Sequence, residues 1–318
     1  PSKEAVKIKE ALRIVHWASP LSWYKTYKAI KEFSPDILIF NWFTPFTWLQ
    51  FYTISKLIKK NTNTRILYIC HNVLAHESRP PDNFFTKTAI KQGDSFIVHS
   101  KNDLENLRKL IPEAEIKQIQ HPIYDFFKEN PISNDAAQEK IGLKGKILLF
   151  FGFIREYKGL KYLIQALPLI REKADVKLLI VGEFWEKENN YRKLISSLGL
   201  EEHTKIISGY VPDEDVGMYF SACDLLVLPY ISATGSGIVQ IANSFQKPVI
   251  ATRLGCFSDV IKDKKNGYLI EPADPKAIAE AVLDFYSDEN KAKNFMASIE
   301  KDKFSWDKIR EAIEGCLK

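Results

Sequence analysis

A short loop of small residues supplies the groups that a phosphate ligand needs. Leu225–Leu228 is an apolar run typical of a strand buried on both faces. A predicted helix follows, and the turn between them contains Thr234, Gly235, Ser236 and Gly237. Free backbone N–H groups and the positive end of the helix dipole would point into this turn. We therefore interpret it as a phosphate-binding loop, although such turns also precede helices in proteins that bind nothing there.

A second loop places positive charge at the end of another predicted strand. The apolar run 147–151 is followed by Gly152. Arg155, Lys158 and Gly159 come next, just before an amphipathic helix. At the carboxyl end of a strand, two cations in a glycine-bounded loop suit a diphosphate. The alternative is that both charges are simply solvated on the surface.

From residue 36 onward, strand-like apolar runs alternate with amphipathic helices, which predicts an α/β protein with parallel sheets and right-handed crossovers. The predicted strands are residues 37–41, 66–71, 95–100, 116–119, 147–151, 177–181, 205–208, 225–228, 248–251 and 268–270. The predicted helices include residues 46–60, 101–110, 160–170, 277–286 and 307–317.

The same architecture on both sides of a polar linker that starts near His121 predicts two Rossmann-like domains facing a cleft. We assign residues 1–130 to an N-terminal domain, residues 131–300 to a C-terminal domain, and residues 301–318 to a final helix that packs back toward the first domain. Residues 3–15 and 21–33 both have helical periodicity. We therefore expect the N-terminal domain to lack the first strand of a doubly wound sheet.

Length and charge limit the classes of protein that this chain can represent. At 318 residues it is too long for one compact α/β core. Its net charge of +5 favours anionic partners such as nucleotide sugars or acidic lipid surfaces. The positive charge is too small and too scattered to indicate a nucleic-acid partner.

The cysteines and histidines indicate neither disulfides nor a metal. The four cysteines lie far apart without a CxxC pair, which is typical of a reducing compartment. The six histidines lack ligand spacing with cysteines or carboxylates, so we predict no metal and no cofactor. Because no signal-peptide pattern and no run of about 18 apolar residues is present, we expect a cytoplasmic protein.

Aromatic residues are concentrated in one segment of the first half. It contains Phe40, Trp42, Phe43, Phe46, Trp48, Phe51 and Tyr52, and Lys56, Lys59 and Lys60 follow it. Aromatic and basic residues together suit a peripheral membrane contact, which would make the protein membrane-associated, or a hydrophobic acceptor surface. The alternative is one buried strand followed by one half-buried helix.

The second half of the chain resembles the retaining glycosyltransferases of family 4, which have the GT-B fold. The segments that carry the resemblance are LLFFGFIREYKGLKYLIQAL, VKLLIVGE, SGYVPDEDVGMYFSACDLLVLPY, KPVIATRLGCFSDVI and NGYLIEP. They have the order and spacing of the family's motifs and cover most of the C-terminal domain. In the N-terminal domain the resemblance is carried by YICHNVLAHE.

The resemblance implies transfer of a sugar from a nucleotide-diphosphate donor to a hydroxyl of a glycan, polysaccharide or lipid-linked acceptor, with retention of configuration and without a metal. It implies catalytic roles for Arg155, Lys158 and, on the acceptor side, His71. The alternative for His71 is a structural role at the end of a strand. The residues implied for donor binding are Gly152, Arg155, Lys158, Gly182, Gly209, Tyr210, Thr234, Gly235, Ser236 and Gly237. The leaving phosphate would accept the acceptor's proton, so no separate base is expected.

Two positions depart from the family's pattern. The family has two glutamates, separated by seven residues around the glycine loop, where this chain has Ala233 and Ile241. Neither side chain accepts a hydrogen bond. We include Gln240 as a further donor-binding candidate, although helix geometry turns it about 100° away from Ile241. Two alternatives therefore stay open: a catalytically inert nucleotide-sugar-binding partner or scaffold of an active transferase, and a nucleotide-sugar epimerase with the same fold.

Overall fold

Two compact units make up the protein. The computed structural model describes residues 11–74, 80–233, 237–299 and 305–317. The N-terminal unit contains the described residues up to His121 together with residues 305–317, and the C-terminal unit begins at Pro122. Each unit contains one parallel sheet with helices between its strands. This confirms the predicted α/β class.

The N-terminal unit is built on four parallel strands. These are β1 (Ile37–Trp42), β2 (Arg65–Cys70), β3 (Ser95–Val98) and β4 (Glu115–Gln118), accompanied by α1 (Pro20–Phe33), α2 (Trp48–Asn61), α3 (Pro80–Ile90) and α4 (Lys101–Leu110). The strands are neighbours in chain order, with Cys70 paired to Val98 and Val98 to Gln118. The residues that follow β2, β3 and β4 therefore emerge side by side at one edge of the sheet.

One helix prediction in this unit is wrong for its described part. Residues 11–16 have no regular structure, and residues 3–10 of the same prediction lie outside the described residues. Leu12 and Val15 are 76% and 48% exposed. A short periodic segment forms a stable helix only when packing covers its apolar face, and these side chains are not covered. Among the described residues, α1 precedes β1 and no strand does.

The C-terminal unit contains a six-stranded parallel sheet. Its strands are β5 (Lys146–Phe151), β6 (Val176–Gly182), β7 (Thr204–Ser208), β8 (Leu225–Leu228), β9 (Val249–Thr252) and β10 (Gly267–Ile270). Its helices are α5 (Asn134–Ile141), α6 (Leu160–Arg171), α7 (Glu188–Ser197), α8 (Asp213–Ala222), α9 (Ile238–Ser244), α10 (Gly255–Ser258), α11 (Pro275–Tyr286) and α12 (Glu289–Ala297). The strand order is β10-β9-β8-β5-β6-β7.

Both faces of this sheet are buried. Along β5, Leu148 and Phe150 pack into the apolar cluster on one face, and Ile147, Leu149 and Phe151 pack into the cluster on the other. A strand covered by helices on both sides is apolar at every position. This explains why short continuous apolar runs predicted the buried strands of this unit, whereas β7, at the edge of the sheet, is only partly buried.

The last helix, α13 (Trp306–Gly315), packs against the sheet of the N-terminal unit. Ala312 and Cys316 form a buried cluster with Leu67 of β2 and Ile97 of β3. The Arg65 guanidinium donates a hydrogen bond to the carbonyl of Cys316. Apolar contact and a charged donor at the helix carboxyl end therefore hold α13 in place.

All four cysteines are buried, and none of them is in a disulfide. Burial raises the pKa of Cys223 to about 12 and that of Cys70 further. Both thiols are therefore protonated and unreactive at neutral pH while the protein is folded.

Leu67→Ala should lower the free energy of unfolding by about 2–5 kcal/mol, because truncation of this fully buried side chain leaves a cavity beneath α13. The matched change Leu12→Ala removes a side chain that is 76% exposed and should cost less than about 0.5 kcal/mol. Urea unfolding followed by circular dichroism measures both. Equal losses would contradict the packing described for α13.

Candidate functional site

The strand order of the C-terminal unit creates a crevice at one edge of its sheet. From β5 the chain progresses to β6 and β7 on one side, and then returns to β8, β9 and β10 on the other. In sheets of this type, ligands bind outside the carboxyl ends of the strands at the position where the order reverses. Here that position lies beside β5 and β8.

Three glycines form the floor at this edge. Gly152, Gly182 and Gly209 follow or end β5, β6 and β7, and all have positive φ values, of 112°, 149° and 126°. A Cβ atom on Gly182 would lie 1.9 Å from the carbonyl oxygen of Gly152. Only glycine permits such a close approach of two backbones in this conformation. The strand ends therefore present bare peptide groups to the crevice.

A pocket of about 260 Å³ lies above this floor. Five residues implied for donor binding line it: Gly152, Lys158, Gly182, Gly209 and Tyr210. Ile241, one of the two positions that depart from the family's pattern, lines it as well. Gly152, Gly182 and Gly209 are distant in the sequence and meet because β5, β6 and β7 are adjacent in the sheet.

The pocket also contains residues that the sequence analysis missed. Phe127, Phe153 and Ile238 contribute apolar walls, and two acidic residues, Glu183 and Asp213, also line the pocket. Glu183 directly follows the glycine that ends β6, in the VKLLIVGE segment. Its position directly after a buried strand could have identified it from the sequence, because residues at the strand ends lie at the same edge of the sheet as Gly152.

Lys158 is a buried cation in this pocket. It ends a 3₁₀ turn (Glu156–Lys158), its side chain is 7% exposed, and its ammonium lies 5.3 Å from the centre of the Tyr230 ring. Its Nζ is 3.2 Å from where a Cβ of Gly152 would be. Burial, and then the nearby Arg155 guanidinium, lower the pKa of Lys158 to about 8.

No carboxylate among the described residues forms an ion pair with Lys158. A buried charge without a partner destabilises a protein, and one that points into a pocket is a candidate for binding an ion of opposite sign. The ammonium and the glycine floor together suit an anionic ligand such as a phosphate group.

Arg155 lies beside the pocket and does not line it. Its guanidinium stacks over the Trp185 ring at 4.1 Å, and Trp185 in turn contacts Phe153, which lines the pocket. Stacking on an aromatic ring holds a guanidinium in one orientation while its N–H groups stay available. Arg155 is therefore held as a second cation next to Lys158.

The small-residue loop before α9 is described only at its end. Thr234, Gly235 and Ser236 lie outside the described residues. Gly237 precedes α9 and packs close to Tyr124, whose ring lies 3.2 Å from where a Cβ of Gly237 would be.

Gln240 and Ile241 of α9 face different surroundings. Gln240 is 1% exposed, accepts a hydrogen bond from Asn243 Nδ2 at 3.2 Å, and is not among the described residues that line the pocket. Ile241, one position further along the helix, does line it. An angle of about 100° between successive helical residues accounts for this difference.

His71 belongs to the N-terminal unit, where it follows β2. Its ring stacks on Phe43, with centroids 4.3 Å apart and planes 2° apart, and its Nε2 lies 3.1 Å from Asn41 Oδ1. Burial, with smaller contributions from the neighbouring His99 and His121 rings, lowers the pKa of His71 to about 4. His71 is therefore neutral at physiological pH.

Most of the aromatic segment is core. Phe40 and Trp42 are buried, and Trp48, Phe51 and Tyr52 are partly buried against the same cluster. Phe43 and Phe46 are 56% and 68% exposed. The buried-strand alternative thus accounts for five of the seven aromatic residues. None of the described helices has the length and apolar character needed to cross a membrane.

Comparison with known proteins places these features in a family. The model of the family "Glycosyl transferases group 1" matches residues 131–302. An uncharacterized glycosyltransferase of Methanocaldococcus jannaschii is 29% identical over 221 residues, or 65% of this chain and 55% of that protein. The lipopolysaccharide 1,2-N-acetylglucosaminetransferase of Salmonella typhimurium is 26% identical over 277 residues, or 82% of this chain and 68% of that enzyme. The chain therefore spans about half the length of the archaeal relative.

Among solved structures, Anabaena HepE in complex with UDP and glucose matches with a TM-score of 0.77 and 19% identity, covering 93% of this chain and 81% of HepE. Similarity at this level of identity shows the fold. The comparisons confirm the GT-B fold and the resemblance identified in the sequence.

Lys158→Met should stabilise the protein without ligand by about 1–3 kcal/mol at pH 7, since each unit by which burial lowers a pKa corresponds to about 1.4 kcal/mol. Between pH 8 and 10.5, Lys158 is neutral in the folded protein but still protonated in the unfolded chain, so the stability of the wild type rises with pH. The advantage of Lys158→Met over the wild type therefore shrinks across this range. Urea unfolding at neutral pH and at about pH 9.5 measures this. Lys161→Met, at a neighbouring lysine that is only partly buried, is the control and should show no such gain.

Gly182→Ala should destabilise the C-terminal unit more than Gly209→Ala does. Both positions have positive φ, so both variants carry the backbone strain of about 1–3 kcal/mol. Only at Gly182 does the new Cβ also clash with backbone, whereas at Gly209 no described residue lies within 4 Å of it. Differential scanning calorimetry measures both, and equal melting temperatures would contradict the close approach of β5 and β6.

Proposed function

This chain belongs to the glycosyl transferases group 1 family, and on that premise we propose that it transfers a sugar from a nucleotide-diphosphate donor to a hydroxyl, with retention of configuration. The observation that carries the proposal is the buried ammonium of Lys158, without an ion-pair partner among the described residues, above three bare glycine strand ends. A diphosphate supplies the opposite charge and fits against backbone that carries no side chains.

The proposed reaction breaks the bond between the anomeric carbon of the sugar and an oxygen of the diphosphate. Negative charge grows on that oxygen as the bond lengthens, and Lys158 and Arg155 stabilise it. The acceptor oxygen forms the new bond on the same face of the sugar. Its proton passes to the departing phosphate, so the reaction is balanced without a separate base. Lys158 and Arg155 compensate the negative charge of the leaving group, and we propose no metal on the donor.

The pocket also contains groups that suit the rest of the donor. Glu183 and Asp213 carry carboxylates that accept hydrogen bonds from hydroxyls, and Gly209 and Tyr210 line the pocket where a base or ribose would lie. Ile241 offers no acceptor at a position where the family has a glutamate. We therefore assign hydroxyl recognition in this chain to Glu183 and Asp213. UDP is the first nucleotide to test, since HepE was solved with UDP and glucose.

For the acceptor we propose a glycan or a lipid-linked saccharide, with His71 on the acceptor side. The Salmonella relative is named for transfer onto lipopolysaccharide, which supports an acceptor of this kind. His71 is held by Asn41 and stacked on Phe43 with its ring neutral, so it can accept or donate a hydrogen bond to an acceptor hydroxyl. Phe43, Phe46 and Leu49 are exposed and would contact the apolar part of a lipid-linked acceptor at the membrane surface.

Lys158→Ala and Arg155→Ala should each lower the rate of sugar transfer by about 10²–10³-fold, the effect of removing one group that stabilises charge in a transition state. The control is Lys161→Ala, which removes a partly exposed lysine that pairs with Glu156 at 3.9 Å and should keep the wild-type rate. The assay measures nucleotide release from UDP, GDP and ADP sugars with and without saccharide acceptors.

Calorimetry with the same nucleotides separates the transferase from the inert binding partner. Binding that depends on Lys158, with no nucleotide release under any acceptor condition, would favour the inert partner. Transfer at the wild-type rate in both the Lys158 and Arg155 variants would contradict the proposed mechanism.

A further inference from the structure

Three histidines that are far apart in the sequence converge in the N-terminal unit. His71 directly follows β2, His99 directly follows β3, and His121 lies three residues beyond β4. Because these strands are parallel neighbours in register, the residues that follow them emerge at one edge of the sheet. The ring centroids of His71, His99 and His121 lie 4.7–5.8 Å apart in the three pairs.

The nitrogen atoms of this cluster are close enough to share one ion. One ligand atom from each ring lies within 4.8 Å of the others. Two Zn–N bonds of about 2.1 Å at a tetrahedral angle place the nitrogens about 3.4 Å apart. The remaining difference of about 1.4 Å is within the reach of small rotations of the partly buried rings.

Hydrogen bonds orient two of the three rings as metal ligands. His99 Nδ1 lies 2.9 Å from the carbonyl oxygen of Ile119. A carbonyl only accepts hydrogen bonds, so Nδ1 carries the hydrogen and Nε2 of the neutral ring carries a lone pair. That Nε2 is buried and has no hydrogen-bond partner among the described residues. A buried nitrogen with an unused lone pair is costly unless something binds there.

Asn41 orients His71 in the way that the Ile119 carbonyl orients His99. Its Nε2 lies 3.1 Å from Asn41 Oδ1, and a hydrogen donated to that oxygen leaves the lone pair on Nδ1. Histidines that bind metals usually donate their other N–H to a carbonyl or carboxylate, which fixes the ring and increases its basicity. Ile119 and Asn41 provide this support for His99 and His71.

We propose that His71, His99 and His121 form a binding site for a divalent transition metal, with Zn²⁺ as the best match. Imidazole nitrogens favour Zn²⁺, Cu²⁺ and Ni²⁺ over Mg²⁺ and Ca²⁺, which require oxygen ligands. Three histidines leave the fourth tetrahedral position open to water or another ligand. The proposed site departs from the sequence-based expectation of no metal. It shares His71 with the proposed acceptor side, but its test measures metal binding and does not depend on sugar transfer.

The test is titration of the full chain, without an affinity tag, with Co²⁺. One equivalent should produce the intense visible absorption of tetrahedral cobalt, and Zn²⁺ should abolish it. His99→Gln and His121→Gln should each lose this spectrum, whereas His16→Gln, at an exposed histidine of the same unit, should keep it. Asn41→Leu, which removes the support of His71, should weaken Zn²⁺ binding about 10- to 100-fold.

A wild-type chain that shows no tetrahedral cobalt spectrum would overturn the proposal, and so would folded His99 and His121 variants that bind as the wild type does. A second measurement, made on the wild type, tests the site even if the variants do not fold. Diethyl pyrocarbonate modification of the wild type, mapped by mass spectrometry, should be suppressed by Zn²⁺ at His71, His99 and His121 and unchanged at His16. Equal modification with and without Zn²⁺ would also overturn the site.

Discussion

The placement of one positive charge inside the C-terminal unit is the constraint on which the candidate site depends. Lys158 is buried beside the ends of β5 and β6, where its charge has no ion-pair partner among the described residues. Water would solvate this ammonium better than the protein does. The pocket therefore suits a ligand that carries negative charge.

The glycines make this arrangement possible. A side chain on Gly152 would occupy the space of the Lys158 ammonium and of Ile238, and one on Gly182 would collide with the backbone of Gly152. A sheet whose strand order reverses beside β5 brings these residues to one crevice, and helices on both faces hold the strands in place. The apolar core, the strand order and the glycine strand ends thus all help to position the Lys158 ammonium.

The sequence predicted the elements whose signal is local. Leu225–Leu228 matches its predicted strand at both ends because a strand covered on two faces is apolar throughout and Pro229 follows it. The sequence failed for residues 11–15, where helical periodicity has no surface to pack on, and for α3, which begins with two prolines. The resemblance to a family supplied Gly152, Lys158, Gly182, Gly209 and Tyr210, and the structure brings these five into one pocket. It did not single out Glu183 or Asp213, although both lie in segments that carry the resemblance.

The histidine cluster shows a limit of a different kind. Metal sites are recognised in sequences by ligands a few residues apart, whereas His71, His99 and His121 are separated by whole crossover units. Their convergence depends on the register of β2, β3 and β4, which no local pattern reveals.

The buried cysteines allow the opening of each of the two units to be followed separately. Cys70 and Cys316 belong to the N-terminal unit and Cys223 and Cys256 to the C-terminal unit, and all four are shielded while the protein is folded. An alkylating reagent therefore reacts at each site only as fast as the surrounding structure opens. Mass mapping of alkylation over time would measure the opening of each unit within one intact chain. Cys316, at the end of α13, would additionally report detachment of that helix alone.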